Sequence, residues 1–125
     1  MISEQLSFLP DSLPDSHPFP PARERTVWNA LPQRVKDRFL KAGEAALAAA
    51  IAPLPLSLWL DFSHTGRRTA WEDAYFSRRA RLCALVCAEC VEHTGRFLGA
   101  IADTVWALCE ESAWQLPAHN SYIRD

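Results

Sequence analysis

Long apolar runs are missing from this chain. No stretch approaches the ~20 consecutive apolar residues that a membrane-spanning helix needs, which leaves no spanning segment to expect. Export signals are missing too. Met1-Ile2-Ser3-Glu4-Gln5-Leu6-Ser7 has neither a basic start nor an apolar core, and a cytoplasmic location is the expectation that follows. Glycine is scarce, at four residues, and none falls in a phosphate-cradling loop. The serine elbow G-x-S-x-G of one hydrolase class is absent. Charge of one sign is not in excess. A formal net charge of -2 gives no general attraction to nucleic acid or to an anionic membrane, so neither is expected as a partner.

What is present is apolar residue in quantity. A hydrophobic fraction of 49% in 125 residues is ample for one core. Four cysteines without an export signal read as reduced thiols. Cys83, Cys87 and Cys90 have the C-x3-C-x2-C spacing of some iron–sulfur loops. Their spacers Ala84, Leu85, Val86, Ala88 and Glu89 are helix formers, however, and offsets of four and three put the thiols on one helix face. The expectation is buried, metal-free cysteines, because cysteine is among the residue types most often found inside. His64, His93 and His119 share no ligand spacing. No metal and no cofactor are expected.

Proline divides the chain. Pro10, Pro14, Pro18, Pro20 and Pro21 fall within residues 1–22, among Ser and Asp, and imply an extended arm. Leu6, Phe8, Leu9, Leu13 and Phe19 give that arm apolar side chains able to dock on a helix. Residues 23–125 then read as helical. A short helix is expected over 22–31, and Pro32 suits the first position of the next. Val35, Phe39, Ala42 and Ala46 recur at helical spacing up to about Ile51, before Pro53-Leu54-Pro55. Leu56, Leu58 and Leu60 alternate with Ser57, Trp59 and Asp61, which reads as an extended connection since no second strand is evident. Thr69 with Glu72 forms a capping-box pattern for a helix over 70–93. That helix places Tyr75, Leu82, Val86, Cys90 and Val91 inward, with Arg78, Arg79, Arg81, Glu89 and Glu92 outward. Thr94-Gly95 ends it, and a last helix runs over 96–113. Two long helices joined by so short a break must lie antiparallel. The fold class is therefore all-α, built of antiparallel helical hairpins.

Residues with chemistry cluster after the last helix. Pro117 drives Leu116 out of the helical region and frees His119 and Asn120 onto a loop. Trp114 supplies a flat apolar face with an N–H donor, and Gln115 and Asn120 supply amides that satisfy hydroxyls in both directions. Such a set suits a carbohydrate cleft. It equally describes a helix end whose Trp is core and whose His caps carbonyls. Arg67 and Arg68 suit carboxylate or sulfate groups, or pair with Glu72 or Asp73. Glu110 and Glu111 stand at the unfavourable negative end of a helix and require a compensating Arg or N–H.

Three segments carry a family resemblance: Leu58-Trp59-Leu60-Asp61-Phe62-Ser63-His64-Thr65-Gly66-Arg67-Arg68, Asp73-Ala74-Tyr75-Phe76-Ser77-Arg78-Arg79, and Leu108-Cys109-Glu110-Glu111-Ser112-Ala113-Trp114-Gln115-Leu116-Pro117-Ala118-His119-Asn120. With them the chain resembles the N-terminal part of heparinase II/III-like proteins, the helical-toroid polysaccharide lyases and their bacterial relatives. The resemblance implies a partial α/α toroid, and a fragment of a longer protein that cleaves an acidic polysaccharide, such as a glycosaminoglycan, by β-elimination. It implies that Trp114, Gln115, His119 and Asn120 line the sugar cleft, with Arg67, Arg68, Glu110 and Glu111 as further contacts. Family members can be exported. His119 is the one acid–base candidate here, because the family's neutralising and catalytic residues lie beyond Asp125. The rival reading is a non-catalytic helical interaction module. On the fragment reading, missing neighbours leave exposed apolar helix faces, including some of Trp59, Trp71 and Trp106, and imply self-association, whereas a stand-alone module would be a compact monomer.

Overall fold

The computed structural model describes residues 19–119. Most of the Pro-rich arm, and Asn120, lie outside them. The described regular structure is wholly helical: α1 (Arg25–Asn29), α2 (Gln33–Ala48), α3 (Leu56–Thr65), α4 (Thr69–Glu92), α5 (Leu98–Cys109) and a closing 3-10 turn (Pro117–His119). No described helix is long and apolar enough to cross a membrane.

Residue pairings fix the topology. Along α4, Arg81 reaches Ala46 and Ala49 at the end of α2, while Ala88 meets Gly43 further back. One number rises as the other falls, so α2 and α4 are antiparallel. Likewise Glu89 meets Phe97, Arg81 meets Thr104 and Arg78 meets Ala107. The expected α4–α5 antiparallel hairpin is therefore present. Helix α4 is the central element, with α2 and α5 against it. Leu85, Ala88 and Phe97 form the core between them, with Leu40, Ala46, Ala100 and Ile101 packed on its edge.

Close approach of α2 and α4 depends on one glycine. A methyl group at Gly43 would lie 2.2 Å from the Ala88 Cβ and 3.3 Å from the Phe97 ring. Three arginines then seal helix ends whose last carbonyls have no partner within the helix. Arg25 donates to the Cys90 and Val91 carbonyls at 2.6 and 2.8 Å. Arg81 donates to Ala46 and, at 2.6 Å, to Ala49. Arg78 donates to Ala52 at 2.6 Å and to Ala107 at 3.2 Å. Each guanidinium also meets a negative helix end or the turn after it, which the helix dipole favours. Glu89 does the converse. Its buried carboxylate accepts from the Gly95 and Phe97 N–H groups, just ahead of α5.

Several expectations are corrected. Residues 56–65 are helix, not extended chain. A period of two over six residues cannot separate strand from helix, and here helix formation brings Trp59 onto Trp71, with ring centroids 5.0 Å apart. Thr69 is the first residue of α4 and makes no capping bond. An Arg68–Glu72 pair at 3.5 Å occupies that end instead. His93, with φ 58°, closes α4 one residue before the expected break. Helix α5 is shorter than 96–113, and α2 ends at Ala48. The inward and outward faces of α4 are partly reversed. Val86 is exposed and Glu89 is buried, because the arginines bend inward to reach carbonyls and Glu89 caps the next helix. Cys83 is exposed rather than buried, and Cys87 and Cys90 are half-buried, since their face of α4 points away from both neighbouring helices.

Candidate functional site

The loop after α5 is clamped to α4 by charge. Arg79 holds Glu111 through Nη2–Oε2 at 2.7 Å, and Arg78 adds a contact at 3.2 Å. The Glu111 side chain is only 2% exposed, so it is the carboxylate that the helix-end argument required to be compensated. The Arg79 guanidinium lies over the Tyr75 ring at 3.2 Å, and the Tyr75 hydroxyl donates to the Trp114 carbonyl at 2.9 Å. Backbone and side chain thus separate their roles at Trp114. Its carbonyl is fixed to α4 while its indole is 68% exposed.

The expected site residues divide. Trp114 and His119 both face solvent. Gln115 spends its amide locally, donating to the His119 carbonyl at 2.9 Å and closing the 3-10 turn. Asn120 lies outside the described residues. Glu110 accepts from the Trp106 indole N–H at 2.7 Å and stays on the surface. Arg67 is exposed beyond the left-handed Gly66, and Arg68 pairs with Glu72. The structure therefore joins Glu111 and Trp114 through α4, and sets Arg67 and Arg68 at the start of that helix.

Sequence reasoning missed a cleft of about 420 Å³ beside this loop. Leu54, Leu56, Trp59 and Trp71 form its apolar wall, and Arg78, Glu110, Glu111 and Ser112 its polar one. Its volume is in the range of small-ligand sites. The Trp71 indole N–H is buried without an acceptor. Reading residues 56–61 as extended concealed the pairing of Trp59 with Trp71. A signal was available, since a Trp on either side of Gly66 fits two helices meeting at a left-handed cap.

Thiols do not add a second site. Among the described residues no group of three His, Cys, Asp or Glu side chains is arranged to hold a metal. Burial pushes the Cys87 and Cys90 thiols up, and a neighbouring cysteine adds to the shift at each. Both are thus held as neutral thiols at neutral pH.

No protein-family model matches the chain, and no curated protein matches it.

Proposed function

We propose that this chain is the N-terminal helical part of a heparinase II/III-like polysaccharide lyase, a segment of an α/α toroid that supplies one wall of an acidic-glycan cleft. One observation carries the reading. The three segments of the resemblance, spread over some 60 positions, converge on one structural unit. Trp59, Arg78, Glu110 and Glu111 line one cleft, Arg78 and Arg79 grip Glu111, and Tyr75 fixes Trp114. The unit holds a loop rigid while leaving an indole and an imidazole on its surface. That is the preorganisation a sugar-stacking platform needs. Trp114 offers the stacking face, His119 the hydrogen-bonding ring, and Arg67 a cation for a carboxylate or sulfate.

β-Elimination removes the proton α to a uronate carboxylate and expels the glycosidic oxygen. It leaves a conjugated unsaturated uronate, which absorbs in the ultraviolet. The test follows that absorbance with the full-length protein on heparin, hyaluronan and alginate. Trp114→Ala and His119→Ala are expected to lower turnover about tenfold or more, as misplacement of a substrate does. Full activity in both variants overturns the cleft assignment. A wild-type protein inert on all acidic glycans overturns the lyase reading.

A second reading, a non-catalytic helical interaction module, is favoured by α5. Leu98, Val105 and Trp106 are 56%, 42% and 70% exposed. Contiguous apolar surface of that kind marks association.

A further inference from the structure

Helix α4 has a second, outward face, open at Phe76, Ala80 and Cys83 and half-covered towards Cys90, where α1 reaches it. Phe76, Ala80, Cys83, Cys87 and Cys90 follow one another at offsets of four and three, and so form one straight stripe opposite the core residues Leu85 and Ala88. Phe76 is 50% exposed, and Ala80 and Cys83 are exposed too. The stripe contains no charged residue. The outer face of α2, by contrast, carries Arg34, Asp37, Arg38, Lys41 and Glu44, all exposed. One flank of the molecule is thus made for water, and the stripe is not.

We propose that the stripe of α4 is the docking surface for the N-terminal segment of this same chain, residues 1–18, laid along it from the Cys90 end. Size decides between a tethered and a free occupant. From Phe76 to Cys90 the stripe is about 21 Å long and about 10 Å wide by helix geometry. That is roughly 200 Å², against the ~800 Å² per partner of a stable complex between separate molecules. A tethered segment avoids the ~4–15 kcal/mol of rigid-body entropy that a free partner loses. Attachment decides the direction. The Arg25 guanidinium bonds the Ala22 carbonyl at 2.9 Å and the Cys90 carbonyl at 2.6 Å. The chain preceding Ala22 therefore starts beside the end of the stripe.

Reach and chemistry agree. From Phe19 back to Leu9 is ten residues, about 31 Å at the spacing of a proline-rich extended chain. That covers the stripe with length to spare. Leu9 and Leu13 supply apolar side chains, and Pro10 and Pro14 fix the backbone angle of an extended strap. Residues 1–18 carry Glu4, Asp11 and Asp15 and no Lys or Arg, while residues 19–119 carry 12 Lys and Arg against 11 Asp and Glu. Arg23 and Arg25 stand at the end of the stripe, so the acidic segment begins beside basic neighbours, whereas Arg79 on its border is already paired with Glu111.

Cys83, in the middle of the stripe, reports on its cover, and Cys109 on α5 is the reference, since both thiols are exposed in the described residues and the protein is held at a dilution at which it sediments as a monomer, leaving the α5 face open. The full chain is alkylated with a maleimide, and each cysteine is followed by peptide mass spectrometry. Cys83 is expected to react about tenfold more slowly than Cys109, as covered groups react only on local opening. In the full-length double variant Leu9→Ser/Leu13→Ser, Cys83 should rise to the Cys109 rate, with an unchanged thermal midpoint. Equal rates in the unaltered chain overturn the proposal. So does protection of Cys83 that survives the double variant. Protection seen only at higher concentration also overturns it, and assigns the stripe to a second copy.

Discussion

Two glycines in helices separate propensity from packing. Gly43 in α2 and Gly99 in α5 both weaken a helix, by about 1 kcal/mol relative to alanine. At Gly99 a new methyl group meets nothing within 4 Å. Gly99→Ala is therefore expected to stabilise the protein by roughly 0.5–1 kcal/mol. At Gly43 the same methyl lands 2.2 Å from the Ala88 Cβ and 3.3 Å from the Phe97 ring. Gly43→Ala should destabilise by ~1–3 kcal/mol, the usual effect of overpacking. Urea titration of both variants by circular dichroism checks the pair. Equal shifts of one sign would show that α2 and α4 do not touch at this point. Neither role was legible in the sequence. A glycine within a helical pattern signals a contact without saying which, and the contact partner lies 45 positions away.

At the scale of elements, helix ends decide more of this fold than helix faces do. The sequence made α4 visible through its length, and its break at residues 93–95 through Gly95. It made Glu111 visible as a carboxylate in need of a partner, but not that Arg78 and Arg79 would both supply it. Arginines at 78, 79 and 81 look like a solvated face until α2 and α5 are placed beside them. Glu111→Ala should therefore cost about 1.5–3 kcal/mol, the worth of a hydrogen bond to a charged group, since Arg78 keeps its carbonyl partners and Arg79 is partly exposed to water. It should also release Trp114, which near-ultraviolet circular dichroism would register. A loss below 1 kcal/mol would mean that the clamp is not formed in solution. Glu92 gives a milder effect with a defined direction. Hydrogen bonds from Arg96, then from Thr94, hold its carboxyl below the ordinary glutamate value of 4.5. A lowered folded value means that the contribution is complete above 4.5 and fades as pH falls through the folded value. The thermal midpoints of the wild type and of Glu92→Gln should differ near neutrality and converge in acid. A gap that persists unchanged in strong acid would show that the Arg96 contact is not its source.

Across the whole molecule, the described residues bury few large side chains. Trp71, Tyr75, Leu85 and Phe97 are inside, whereas Leu56, Phe76, Leu98, Trp106 and Trp114 are at least half exposed. The expectation of exposed tryptophan thus holds at Trp106 and fails at Trp71, which α3 covers through Trp59. Composition announced abundant apolar residue but not its distribution, because burial depends on which helices are neighbours. On α5 the inner face packs Phe97, Ala100, Ile101 and Thr104 against α4, while Leu98, Ala102, Val105, Trp106 and Cys109 remain outside. Asp103 is the only charge in this helix, so little in α5 opposes contact with another apolar surface. That face, unlike the stripe of α4, carries an exposed tryptophan at its edge, a residue type enriched at binding hot spots. Concentration-dependent self-association is therefore expected, measured by sedimentation velocity across a hundredfold dilution series. Val105→Glu/Trp106→Glu should shift the protein to monomer without lowering its melting point, since neither side chain supports the core. A wild type that sediments as a monomer at every concentration would leave α5 without a role in association. A double variant that unfolds would show that α5 draws on these side chains for its own packing.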